Sequence, residues 1–198
     1  MKKLGLVFGV LGISCAFADP LPTHAGLYLD GGAGFDYSES KGELGSKYDG
    51  ISADANGPDL QFSIKAGYSF IENLAVFANA AYIYFPSGHS QQVGNSSVSV
   101  ESDGNIGPLF LGGGFAYWLM PVNIYASAAI GTAKFTYDKP YTQDFGFAWR
   151  ASIGKDWWIG DNGLALGAEA VYMYASVDSG EKSWKSNSLG VLFHFSYN

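Results

Sequence analysis

The chain alternates. From Gly26 to Tyr37 the apolar residues Leu27, Leu29, Ala33, Phe35 and Tyr37 share one parity, against Tyr28, Asp30, Gly32, Gly34 and Asp36. Leu60 to Phe70 is the cleanest case: Leu60, Phe62, Ile64, Ala66, Tyr68 and Phe70 interleave with Gln61, Ser63, Lys65, Gly67 and Ser69. Period two places successive side chains on opposite faces, so these stretches predict strands. The same pattern predicts strands over Leu74 to Phe85, Pro108 to Tyr117, Val122 to Thr136, Phe145 to Trp158, Leu164 to Tyr174 and Leu189 to Tyr197. In the third strand Phe77 and Ile83 fall on the polar parity, which leaves its facing open. In the fifth, the phase blurs after Gly131, as a bulge or the end of the buried zone would cause.

Between the strands the connections alternate in length. Ser38 to Asp59, Pro86 to Gly107, Asp138 to Asp144 and Asp178 to Asn187 are polar loops, whereas Ile71 to Asn73, Trp118 to Pro121 and Ile159 to Gly163 are tight turns. Eight strands of about ten residues each, with turns at one end and loops at the other, fit an antiparallel up-and-down transmembrane β-barrel with periplasmic turns and outer loops.

Composition decides between a lipid-facing barrel and a soluble, ligand-holding one. Only 15 % of the residues are charged, aromatics reach 16 %, and there are 27 glycines. The polar parity is mostly Gly, Ser and Ala, with rare charges at Lys65, Arg150 and Glu169. Small side chains suit a narrow interior and would be an odd choice for a water-facing surface, so the apolar face is assigned to lipid. Two aromatic belts are expected: Tyr68, Phe70, Tyr117, Trp118, Trp157, Trp158 and Tyr197 near the turns, and Tyr37, Tyr82, Tyr84, Phe145, Tyr172 and Tyr174 near the loops.

Met1 to Ala18 carries Lys2 and Lys3, an apolar run and Ala16-Phe17-Ala18, and reads as a secretory signal peptide with cleavage before Asp19. Cys15 lacks the leucine three residues earlier that a lipoprotein site would show. Residues 19–198 are then one barrel domain without cysteine, and losing the two lysines takes the net charge from −7 to −9. No nucleic-acid partner is expected of so acidic a chain.

With signal peptide, strand count, loop asymmetry, girdles and the terminal strand LGVLFHFSYN in hand, the chain resembles the small eight-stranded outer-membrane barrels of Gram-negative bacteria, the OmpA-transmembrane and OmpX type. The resemblance covers Asp19 to Asn198. It implies residence in the cell outer membrane among lipid and lipopolysaccharide, and a terminal strand whose Phe193, Phe195 and Tyr197 are read by the barrel-assembly machinery. That strand usually ends in Phe, and here Asn198 follows Tyr197. The wall-anchoring role of longer relatives does not carry over.

Candidate chemistry is sparse. Lys65, Arg150 and Glu169 point inward by parity; counted from the turns Lys65 and Glu169 lie at similar depth, and Arg150 is on the strand paired with that of Glu169, so they are expected to pair, either as a structural plug or as a gate, because isolated buried charges are costly. His194-Phe195-Ser196 is similar to the His-x-Ser pair of outer-membrane lipid A deacylases, but no orienting acid stands out in the sequence and lining the barrel mouth is the simpler role. Gly31-Gly32 and Gly112-Gly113-Gly114 lie within strands with no helix following, so they read as sites of curvature, not phosphate loops. Glu39, Glu43, Asp49, Asp54 and Asp59 make the first loop acidic without EF-hand spacing. No cofactor or metal is expected. The reading is a monomeric, non-enzymatic barrel acting in envelope structure or through an extracellular partner of its loops, with a narrow solute channel as the rival and a lipid-modifying enzyme as a minor one.

Overall fold

The computed structural model describes residues 23–43, 52–84, 90–93, 96–98, 107–136, 144–179 and 182–198. The expected signal peptide, residues 1–18, lies outside them. Ten strands follow in order: β1 (Gly26–Glu43), β2 (Ser52–Ile71), β3 (Leu74–Tyr84), β4 (Ser90–Val93), β5 (Ser96–Val98), β6 (Gly107–Leu119), β7 (Ile124–Thr136), β8 (Gly146–Trp158), β9 (Leu164–Ser179) and β10 (Lys182–Tyr197).

Eight of them form a closed antiparallel ring in the order β1, β2, β3, β6, β7, β8, β9, β10, with β10 returning to β1. Closure leaves no open edge in the wall, as lipid requires of any sheet that crosses it. The closing seam is long, running from Leu29 opposite Tyr197 to Glu43 opposite Ser183. β4 and β5 form a small hairpin on the loop side, where β4 pairs with the Ala53–Asn56 stretch of β2.

The predicted parity holds on the ring strands whose facing the sequence assigned. Phe35, Ile64, Phe70, Ile130 and Phe193 are among the most exposed large apolar residues, and all face outward. The third strand is now settled: Phe77 and Ile83 lie inside, and Val76, Ala78 and Ala80 outside. The fifth predicted strand, β7, shows no bulge against β6, since its register runs unbroken from Gly107 opposite Thr136 to Leu119 opposite Ile124. Its phase blurs in the sequence because the outward parity turns polar beyond Gly131, at Thr132 and Lys134, which is the end of the apolar zone.

Three expectations change. Ring strands run from 11 to 20 residues, longer than the roughly ten that a bilayer needs. Much of the first polar loop, and nearly all of the last, is therefore strand: β9 reaches Ser179 and β10 starts at Lys182. Backbone pairing needs no apolar side chains, so a polar hairpin above the lipid keeps the ladder without showing alternation. Finally, Trp118 and Trp158 do not belong to the outer belt. Trp118 is 1 % exposed inside the barrel, and Trp158 turns inward onto the same cluster.

The seam register is directly testable. Phe35→Cys with Val191→Cys, opposite each other across the β1–β10 seam, should cross-link on oxidation of the folded barrel. Phe35→Cys with Leu192→Cys, whose side chains lie on opposite faces of the wall, should not. Equal cross-linking of both pairs would disprove the register.

Candidate functional site

Because every second residue of eight strands points into one narrow cylinder, residues distant in sequence meet there. Lys65 on β2 reaches across to Glu169 on β9, with Nζ donating to both carboxylate oxygens at 3.0 and 3.1 Å. Asp30 on β1 stands 3.4 Å from the same ammonium. Glu169 also accepts from the Tyr125 hydroxyl at 2.8 Å and from Ser152 at 2.7 Å, so its charge is held by donors from three further strands. All of these charged side chains are nearly inaccessible.

Arg150 does not join that pair. Register explains why: Gly154 is the residue opposite Glu169, while Arg150 faces Met173 four positions further along. Its Nη1 donates instead to Ser63 at 3.0 Å and to Asn79 Oδ1 at 2.7 Å. Of the three charges anticipated as one network, two pair directly and the third forms its own polar contact toward the loop side. Between the two groups lies a cavity of about 10 Å³, lined by Lys65, Asn79, Ser127, Arg150, Ser152 and Glu169, room for about one water.

Toward the turns a second cluster fills the lumen. Asp156 on β8 takes a hydrogen bond from the Trp118 indole at 2.7 Å and lies 2.7 Å from His194 Nε2, with Asp30 3.7 Å from the same nitrogen. His194 therefore does have acid partners, which sequence reasoning missed. Asp156 was legible, since it shares parity with Arg150, Ser152 and Gly154 and so faces inward. His194 Nδ1 has no hydrogen-bond partner, and Nε2 is engaged by Asp156, so neither nitrogen activates Ser196. The geometry of a hydrolytic triad is not assembled. Gly167 makes the His194–Asp156 contact possible: a Cβ at that position would run into both His194 Nε2 and Asp156 Oδ1. Gly154 likewise leaves room for the Tyr125 ring.

His24, just before β1, caps this end. Its ring stacks on Trp118 at 4.1 Å and 17°, with Trp158 at 4.6 Å on the same cluster. Nε2 lies 2.7 Å from Asn123 Oδ1, and the Asn198 amide lies 2.8 Å from Nδ1. The backbone N–H of Asn73 donates to the His24 carbonyl at 2.8 Å, and that of Asn198 to the Gly163 carbonyl at 2.9 Å. Asn73 and Asn123 both hold positive φ, 64° and 53°, in turns that asparagine tolerates. Asn73 thus holds the backbone of His24, its Oδ1 accepting from the His24 N–H at 3.2 Å, while Asn123 and Asn198 hold the imidazole. Burial pulls the His24 pKa below its ordinary value, with the Asn123 bond and the Asp156 charge opposing that shift.

The remaining sequence candidates are scattered. Phe193, Phe195 and Tyr197 face outward near the turn end of β10 and are 62 %, 67 % and 43 % exposed. Glu39 is on the outside of β1, bridged to Lys41 at 2.9 Å. Asp59, expected in the acidic loop, is instead buried on the inner face of β2. Glu43 and Asp54 lie in β1 and β2, and Asp49 lies outside the described residues.

No protein-family model matches this sequence, and no curated protein matches it by sequence. Among the solved structures similar in fold are two small outer-membrane proteins. The outer membrane protein OprG from Pseudomonas aeruginosa superposes with a TM-score of 0.57 at 17 % identity, covering 90 % of this chain and 98 % of that one. Neisserial surface protein A, NspA, gives 0.50 at 15 % identity, covering 85 % and 96 %. The chain therefore has the fold of the small outer-membrane barrels, and its apolar exterior is the surface such a barrel turns to outer-membrane lipid.

Three outcomes are expected. Lys65→Met should destabilise the barrel by about 3–5 kcal/mol in urea unfolding from lipid, because Glu169 is left charged and buried, and Lys65→Met with Glu169→Met should restore much of that loss. Gly167→Ala should cost about 1–3 kcal/mol by overpacking. Because the folded His24 pKa lies below the unfolded one, the unfolded chain binds the extra proton, and stability should fall as pH drops through about 6.5. His24→Gln should remove that slope relative to the parent.

Proposed function

We propose that this protein is a sealed outer-membrane barrel that works at its outer surface, as a structural element of the envelope or as the docking surface for an extracellular partner, and that it neither passes solutes freely nor catalyses a reaction. The observation that carries this reading is the continuous side-chain plug. From the loop side inward, Arg150 with Ser63 and Asn79, then Lys65 with Glu169, Asp30 and Tyr125, then Asp156 with His194 and Trp118, and finally His24 occupy the lumen in succession. An eight-stranded barrel is just wide enough for side chains to fill it.

The loops, by contrast, are free of that constraint, and they join strands that rise beyond the length lipid demands. Binding surfaces concentrate on such loops when a rigid scaffold presents them. The outward aromatics Phe193, Phe195 and Tyr197 suit recognition by the barrel-assembly machinery, and lipid with lipopolysaccharide is the natural surround of the apolar band.

A second reading is supported by one feature. The Lys65–Glu169 pair could open a narrow ion path if either partner swung away, since the 10 Å³ cavity lies beside it. Planar-bilayer recording separates the two. On the sealed reading, the parent and Glu169→Ala both show negligible conductance, and liposomes carrying the parent do not swell in small sugars. Open-channel currents that appear only in Glu169→Ala would favour the gate, and swelling with the parent would overturn the sealed barrel. An unchanged lipid A mass on expression is expected, and a mass shift would reveal an enzyme.

A further inference from the structure

Between the Arg150 tier of the plug and the Lys65–Glu169 tier, the hydrogen bonds do not close within the protein. Arg150 is buried at 4 % exposure; its Nη1 donates to Ser63 and Asn79, while Nε and Nη2 have no partner. A guanidinium only donates, so the N–H groups of these two nitrogens are buried donors without an acceptor. The other donors nearby are committed. Lys65 Nζ gives to both oxygens of Glu169 and stands 3.4 Å from Asp30, and the Tyr125 hydroxyl goes to Glu169. The Asn79 amide nitrogen serves Ser63 Oγ and the carbonyls of Ile64 and Ala80.

The acceptors show the complementary surplus. Ser152 Oγ donates to Glu169 Oε2 at 2.7 Å, which uses the single proton of that hydroxyl. The Ser127–Ser152 contact between β7 and β8, also 2.7 Å, therefore runs from Ser127 to Ser152. Ser127 Oγ keeps its lone pairs for an incoming donor. On Glu169, Oε2 takes bonds from Lys65, Tyr125 and Ser152, whereas Oε1 takes one from Lys65 alone. Arg150, Ser127 and Glu169 all line the cavity of about 10 Å³, whose apolar walls include Phe77, Ala129 and Val171. Buried donors and open acceptors thus face one small space, and among the described residues no direct bond joins Arg150 to either acceptor.

We propose that this cavity is a binding site for one water molecule, which accepts from Arg150 and donates to Ser127 Oγ and to Glu169 Oε1. Arg150 is then joined to the Lys65–Glu169 pair at one remove, and the charges on β2, β8 and β9 act as a single network with solvent as the joint. The volume is that of about one water, and three polar partners are what a buried water ordinarily finds. Electrostatics select a neutral occupant. Arg150 and Lys65 repel a cation, and a halide would lie against the Glu169 carboxylate in a space sized for water. Ser127 orients the water, because its own proton is held by Ser152 and only its lone pairs face the cavity. The site follows from the lumen and does not rest on what the outer loops bind.

Crystals of the full barrel grown from detergent, with a matching set soaked in NaBr, test the occupant, and a double-mutant cycle in urea tests the joint. In crystals that resolve ordered water elsewhere, one peak should lie about 2.7–3.2 Å from Arg150 and from Ser127 or Glu169, without anomalous signal from bromide. Ser127→Ala and Arg150→Met should be coupled by at least about threefold in the unfolding constant, since losing the acceptor matters less once the donor is gone. Ser40→Ala, whose hydroxyl meets Ser186 further up the lumen, should combine with Arg150→Met additively to within about twofold. Folding of each variant is checked by heat-modifiable gel mobility, and if Arg150→Met does not refold the parent crystals decide. A cavity without density, a bromide peak within it, or an additive Ser127–Arg150 pair would each overturn the proposal.

Discussion

The constraint on which this structure depends is the width of its own interior. A closed ring of eight strands encloses a space that side chains can just fill, and lipid on the outside forbids any inward group from escaping outward. Each inner position must therefore be small, or apolar and matched, or polar and paired. Gly167 and Gly154 are small so that the His194–Asp156 contact and the Tyr125 ring can exist. Phe77, Ile83 and Phe110 fill apolar sectors, and Lys65 with Glu169 is the paired case.

Much of this was legible in the sequence. Parity, with composition to say which face meets lipid, assigned the inner and outer faces of most ring strands, because lipid imposes one strict requirement on the outward positions. The third strand, with Phe77 and Ile83 on the inner parity, stayed open. Parity also put Lys65, Arg150 and Glu169 inside. Counting from the turns also set Lys65 level with Glu169; what it did not give is the depth of Arg150. Arg150 and Glu169 sit on neighbouring strands, yet their four-residue offset in register sends Arg150 to Ser63 and Asn79. Strand ends were misplaced for a related reason. Once a hairpin rises clear of the lipid, neither face has to be apolar, so the sequence loses its alternation while the backbone ladder continues. Asp59 was lost in this way, read as loop because its neighbours are polar.

The tryptophans show a different limit. Trp118 and Trp158 stand near turns, where an interfacial ring is the ordinary expectation. Their parity said otherwise, and parity was right. Each found a buried partner, His24, that lies before the first strand in a stretch with no alternation to mark it. Fold similarity adds little here: at 15–17 % identity the two solved barrels show the fold alone, and the chemistry of the lumen is read from this chain's own residues.

The seat of His24 also imposes an order of events. Its ligands come from the β2–β3 turn, the β6–β7 turn, the indole rings of β6 and β8, and the residue after β10. None of the intermediate, half-closed sheets brings all of these together. The imidazole can settle only after the last strand has met the first, so the seal at that mouth records completion. A barrel with one hairpin out of place would still have a wall, but its floor would stay open.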